Sequence, residues 1–203
     1  MRPNNVDLAA LLGLYQPLVG VRLNLAIDAA GSVSGATGSS DDVSNALDRA
    51  VLVHLRKISD VIVTSGKTAR AENLRASKHA PMVVLTQSGE GLEHMLNGPD
   101  AKPVTLLVPG GSLLADLHPR SVLTHLRAGE CSQILLEFGP RLIALWSEAG
   151  LIDEVCLTVT GQPNSEATAR SLLPDFIESD NAVLLTDFFS ADTKTRFLRF
   201  SLR

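Results

Sequence analysis

Asp28, Glu72 and Glu137 each fall at or just past the end of a run that reads as a parallel strand. Such ends gather on one edge of an open α/β sheet, where ligands bind. A carboxyl group there can hold or relay a proton, so all three are candidate catalytic acids. The stretch LLEFGPRL (Leu135–Leu142) is the clearest of these corners. Leu135 and Leu136 suit a strand, Gly139 allows a close turn, and Pro140 suits a first helical position. A second corner is TSGKTARAEN (Thr64–Asn73). Its small Ser65, Gly66 and Thr68 would let backbone amides approach a phosphate, and Lys67 would add charge. The spacing is not that of a P-loop, and read alone a Ser/Gly turn capping a helix describes it better. Convergence of three acids by chance also stays open in a chain with 22 Asp plus Glu.

Elements must hold these corners together. Asp7–Leu14 reads as a short helix ended by Pro17, and Val21–Asp28 alternates like a strand. A Gly/Ser-rich loop follows, then a helix over 40–59 capped by Ser40 or Asp41, with Asp42 at its positive end. Its buried stripe is Val43, Leu47, Ala50, Val51, Leu55 and Ile58. DVIVT, PMVVLT and VTLLV are short continuous apolar runs, the mark of strands covered on both faces. Further helices are expected around 91–96, from Pro119 to Gly129, and from Pro140 to Gly150, the last with Leu142, Leu145 and Trp146 in the core. SQILLE and DEVCLTVT are strands, and 181–190 with 193–203 reads as a closing antiparallel hairpin. The expected fold is α/β: one domain over 1–203, a mixed, mostly parallel sheet with helices on both faces, and residues 1–20 as a helical extension.

Composition bounds the partners. The chain has 203 residues, 45% hydrophobic and 20% charged, with net charge -4. An acidic balance and 4% aromatic content argue against a nucleic-acid surface. Cys131 and Cys156 make no disulfide framework, and the scattered histidines have no zinc spacing, so no metal is expected. No apolar run is long enough for a membrane span, and the N-terminus lacks a signal-peptide layout, so a cytoplasmic protein is expected.

Taken together, DVIV-x-x-G-x-T-x-R-A-E-N and LLE-x-GP-x-L…EAGL-x-DE carry a family pattern. From about Val21 to Thr160 the chain resembles the C-terminal reductase domain of the bifunctional riboflavin-biosynthesis deaminase-reductase, whose fold is dihydrofolate-reductase-like. The resemblance implies an NADPH-dependent reductase that turns a ribosylamino into a ribitylamino group on a phosphorylated pyrimidine, or acts on a related pteridine-like substrate. It implies a homodimer as well. The deaminase half is not part of the matching pattern, so reduction alone is expected.

Position by position, the resemblance puts the cofactor at Ala26, Ser65, Gly66, Lys67, Thr68 and the run Phe138, Gly139, Pro140, Arg141 and Leu142. Thr86, just after the PMVVLT strand, is a further candidate for the cofactor's adenosine end, with a plain turn residue as the alternative. It puts substrate at Asn24, Arg70 and Glu72. Departures accompany this. Ser65, Lys67 and Phe138 stand where the family has glycines, and of its S-L-D-G only Gly31 matches, with Ala30 beside it and Asp28 standing in for the acid. A Cβ in such loops can block a ligand or a required φ. A second expectation is therefore a non-catalytic homologue with a partly closed pocket. A third is a generic doubly wound domain that binds another phosphate ligand.

Overall fold

The computed structural model describes residues 8–33, 44–96, 100–111, 116–161, 169–178 and 180–203. The strands are β1 (Gly20–Asp28), β2 (Val61–Ser65), β3 (Met82–Leu85), β4 (Val104–Leu107), β5 (Gln133–Glu137), β6 (Glu154–Thr160), β7 (Val183–Ser190) and β8 (Thr195–Ser201). They form one sheet in the order β4-β3-β2-β5-β1-β6-β8-β7. The pairs from β4 to β6 are parallel, and β8 pairs antiparallel with both β6 and β7. The expected mixed sheet with a closing hairpin is what forms.

Alternation along the strands feeds two cores, one on each face. Leu23, Leu136 and Leu157 point to the face covered by α5 (Pro119–Ala128) and α6 (Pro140–Glu148). Ile62, Leu135 and Cys156 point to the face covered by α1 (Leu8–Gly13), α2 (Ala46–Lys57), α3 (Gly66–Ala71) and α4 (Glu93–Leu96). The expected helices on both faces are present.

Two local expectations need correction. The second helix starts at Ala46, because Asn45 caps it and its side chain accepts from Leu47 N at 2.9 Å and Asp48 N at 3.1 Å. The expected caps Ser40 and Asp41, with Asp42 and Val43, lie outside the described residues. On α6, Trp146 is fully buried but Leu145 is 43% exposed. It sits one position before Trp146 and so turns toward solvent, since successive residues lie 100° apart on a helix.

The register leaves a step in the sheet. β1 pairs with β5 only from Gly20 to Leu23, where Leu23 lies opposite Leu136. It continues to Asp28 paired with β6 on the other side. From Asn24 onward, one edge of β1 therefore has no strand beside it, and the chain leaving β5 turns there into α6.

Candidate active site

The turn after β5 sends neighbouring side chains to opposite faces. Glu137 points toward α2, where Arg56 donates to it twice, Nε to Oε1 at 2.8 Å and Nη2 to Oε2 at 2.6 Å. Burial works against the charge on Arg56, but the bonds and charge of Glu137, aided by Glu72, hold its pKa above the ordinary value. Thr64 Oγ1 donates to the Glu137 carbonyl at 2.8 Å and ties the ends of β2 and β5. Phe138 turns the other way. It is 6% exposed and packs on Trp146 with ring centroids 5.7 Å apart. Its backbone φ is not positive, nor are those of Ser65, Lys67 and Ala30. None of these four positions therefore needs glycine for its conformation.

Gly139 precedes α6 with no side-chain cap, and Pro140 opens the helix. A Cβ built on Gly139 would meet nothing within 4 Å outside its chain neighbours. The positive end of a nine-residue helix is thus bare at an open turn. Arg141 is exposed and Leu142 half-buried against the core.

The turn after β2 is built differently. Ser65 caps α3, accepting from Thr68 N at 3.0 Å, and its hydroxyl lies 2.8 Å from that of Thr68. Gly66 is buried, and a Cβ there would stand 2.7 Å from Thr86 Cβ. Lys67 is exposed. Arg70 passes close to Gly66 and reaches carbonyls of the segment after β3, with Nε on Glu90 O at 2.7 Å. Glu72 follows α3, and no hydrogen bond holds its carboxylate among the described residues.

The β1 wall carries the remaining candidates. Asn24, Ala26 and Asp28 alternate onto the α2 face, at and beyond the level of Glu137. Asn24 Oδ1 is buried with no hydrogen-bond partner among the described residues. Asp28 Oδ1 accepts from both Ala30 N and Ser32 N, each at 2.9 Å, in a turn where Gly31 takes φ +83°.

Two polar residues absent from the sequence reading join the same face. Asp48 on α2 is buried, its Oδ2 accepting from Ser44 Oγ at 2.6 Å. Burial raises its pKa, and the Ser44 and Thr158 hydroxyls only partly offset this. Arg56, the partner of Glu137, was legible only as one more surface cation of a helix.

A nicotinamide dinucleotide fits this arrangement on three observations. The bare α6 terminus and open Gly139 suit a pyrophosphate, and an orphaned Asn24 oxygen wants a donor. No described helix is long and apolar enough to cross a membrane.

Comparisons with solved structures agree on the fold. The chain superposes on a pyrimidine reductase-like protein from Corynebacterium diphtheriae with a TM-score of 0.64 at 17% identity, covering 90% of this chain and 91% of that one. A Thermotoga maritima diaminohydroxyphosphoribosylaminopyrimidine deaminase/5-amino-6-(5-phosphoribosylamino)uracil reductase gives 0.70 at 15% identity, over 90% of this chain and 56% of that one. The chain thus spans little more than half of that two-activity protein. The Saccharomyces cerevisiae riboflavin biosynthesis reductase Rib7 gives 0.57 at 15%, over 97% of this chain and 100% of that one. A search of curated protein sequences returned no match. The sequence profile of the RibD C-terminal domain, however, matches residues 20–161, the span that builds the whole parallel sheet and its stepped edge, and the chain belongs to that family.

Proposed function

We propose that this chain is an NADPH-dependent reductase of a phosphorylated ribosylamino-pyrimidine or a closely related pteridine-like compound. The carrying observation is the step in the sheet, where the unpaired edge of β1 with its orphaned Asn24 oxygen borders the bare start of α6. Family membership and the reductases among the structural neighbours support the same reading. Bound there, NADPH would supply a hydride for the C1 carbon of an opened imine.

The chain's own part is to hold, orient and protonate. Backbone groups of Phe138, Gly139, Arg141 and Leu142, with the ring of Pro140, line the pyrophosphate side. Ser65, Gly66, Lys67, Thr68 and Thr86 line the next turns, and Ala26 offers a small side chain on the β1 wall. Phe138 is no obstacle in this reading, because its ring is spent in the core on Trp146. Among the three acids, Asp28 is tied into its own turn through Oδ1, and both oxygens of Glu137 are bound by Arg56. Glu72 is left to carry the proton, and Asn24 is assigned to the substrate side.

The reading includes a homodimer and a cytoplasmic setting. The outer strand β7 exposes Val183, Leu184, Leu185 and Phe189 by 56%, 44%, 49% and 51%, an edge that favours being covered. Both cysteines are free, as in a reducing compartment.

Titration with NADPH and with NADH, following fluorescence of Trp146, tests the proposal. Saturable quenching by NADPH is expected, followed by NADPH oxidation when the pyrimidine substrate is added. Absence of binding at millimolar cofactor would end it.

A further inference from the structure

We infer that Arg70 is a positioning residue that locks the segment Thr86–Gly91 onto the β2–α3 turn, and is not a substrate ligand. One guanidinium makes the lock. Its Nε donates to Glu90 O at 2.7 Å, and its Nη2 donates to Ser88 O at 2.9 Å and Thr86 Oγ1 at 3.3 Å. Thr86 Oγ1 in turn donates to Ser88 O. These carbonyls belong to a loop with few other ties. Thr86 N donates to Leu107 O at 3.0 Å, Gly91 N to Glu93 Oε1 at 3.2 Å, and Leu92 N to Gly89 O at 3.3 Å.

Two glycines are fitted to the same side chain. A Cβ on Gly66 would stand 2.9 Å from Arg70 Nη1, so the turn closes directly on the guanidinium. Gly91 takes φ +70°, and a Cβ there would touch Arg70 Nε at 3.5 Å. The exposed Arg70 side chain therefore lies against both the β2–α3 turn and the β3–α4 loop. Its rigid fork can satisfy carbonyls two residues apart in the chain, which a single ammonium cannot do in the same geometry. With Nε and Nη2 directed at protein oxygens, it joins two turns at the C-terminal edge into one unit.

This inference rests on the reductase reading only for its effect on cofactor, and its test separates the two. In Arg70→Lys, backbone NMR order parameters of residues 87–91 should fall from about 0.85 to below about 0.6, with β1 and β5 unchanged. NADPH affinity should weaken about tenfold, with KM for the pyrimidine substrate unchanged. Thr86→Val, which removes one acceptor and keeps the shape, should move the same residues in the same direction by less. Unchanged order parameters in Arg70→Lys would overturn the lock. So would a raised substrate KM at constant NADPH affinity, which would make Arg70 a substrate ligand. If the unaltered protein binds no NADPH, the reductase reading fails while the order parameters still decide the lock.

Discussion

Glu154 and Glu137 are both held by arginine, but at opposite ends of strands that flank β1. Glu154 opens β6 and is bridged by Arg22 Nε at 2.7 Å and by Arg199 Nη2 at 2.6 Å. Arg22 and Arg199 also donate to the carbonyls of Gln16 and Leu14, so α1's exit is sewn over the pair. Nearby, Asp60 accepts from Ser132 N, Ser132 Oγ and Gln133 N, and Asp153 accepts from Val21 N and pairs with Arg203. Glu137 closes β5 with one arginine, and at that end of the sheet three groups have no hydrogen-bond or capping partner among the described residues: the Asn24 oxygen, the Glu72 carboxylate and the start of α6. Buried polar groups are ordinarily satisfied, so the unsaturated end is the one with room for a ligand. The same residue chemistry is structural where saturated and available where not.

Substitutions can break this contrast. Glu154→Gln should have the largest effect, about 3–5 kcal/mol in urea unfolding, because the buried Arg22 and the half-buried Arg199 lose their counter-charge. Burial alone would raise the Glu154 pKa, but Arg199 and Arg22 hold it below its ordinary value. Its stabilisation is therefore complete above the unfolded value of about 4.3 and lost as pH falls through the folded one. The gap between the variant and the parent protein should narrow below about pH 4. A gap independent of pH would show that the ion pair is not its source.

Phe138→Gly restores the glycine usual in the family but empties a core site beside Trp146. A cost of about 3–5 kcal/mol is expected, with no gain in NADPH affinity. Tighter NADPH binding would mean that the ring closes the pocket, and would revive the non-catalytic reading.

Gly66→Ala drives a methyl into Thr86 and should cost about 1–3 kcal/mol in the same unfolding assay. Gly139→Ala meets open space and should stay within about 0.5 kcal/mol, while weakening NADPH binding. Equal stability losses at the two glycines would erase the distinction between a packing turn and a binding turn. Smallest in stability should be Glu72→Gln, within about 0.5 kcal/mol, with turnover falling at least tenfold if this carboxyl carries the proton. A stability loss as large as that of Glu154→Gln would sink the contrast itself.

Much of this was legible along the chain. The continuous apolar runs of β2 and β3, the Pro140 start of α6 and the closing hairpin follow from period, propensity and turn chemistry, which are local. The motif around Glu137, Gly139 and Pro140 marked the corner correctly as a strand-to-helix turn. The direction of Phe138 was not legible, because whether a residue at a strand's end faces core or ligand depends on register with strands far away in sequence. The true cap Asn45 was hidden among several good cap residues, and only the helix's seat on the sheet selects one of them.

The sequence by itself determined the alternation of strands and helices and the residue types at each corner, since hydrophobic period and backbone restriction act within a few residues. Tertiary structure alone decided that β5 inserts between β2 and β1, that β1 beyond Leu23 pairs with β6 but no longer with β5, and that Arg56 bonds to Glu137 while no hydrogen bond holds the Glu72 carboxylate among the described residues. Those are matters of which distant groups meet, and burial and pairing, not residue type, set which acid is held and which is available.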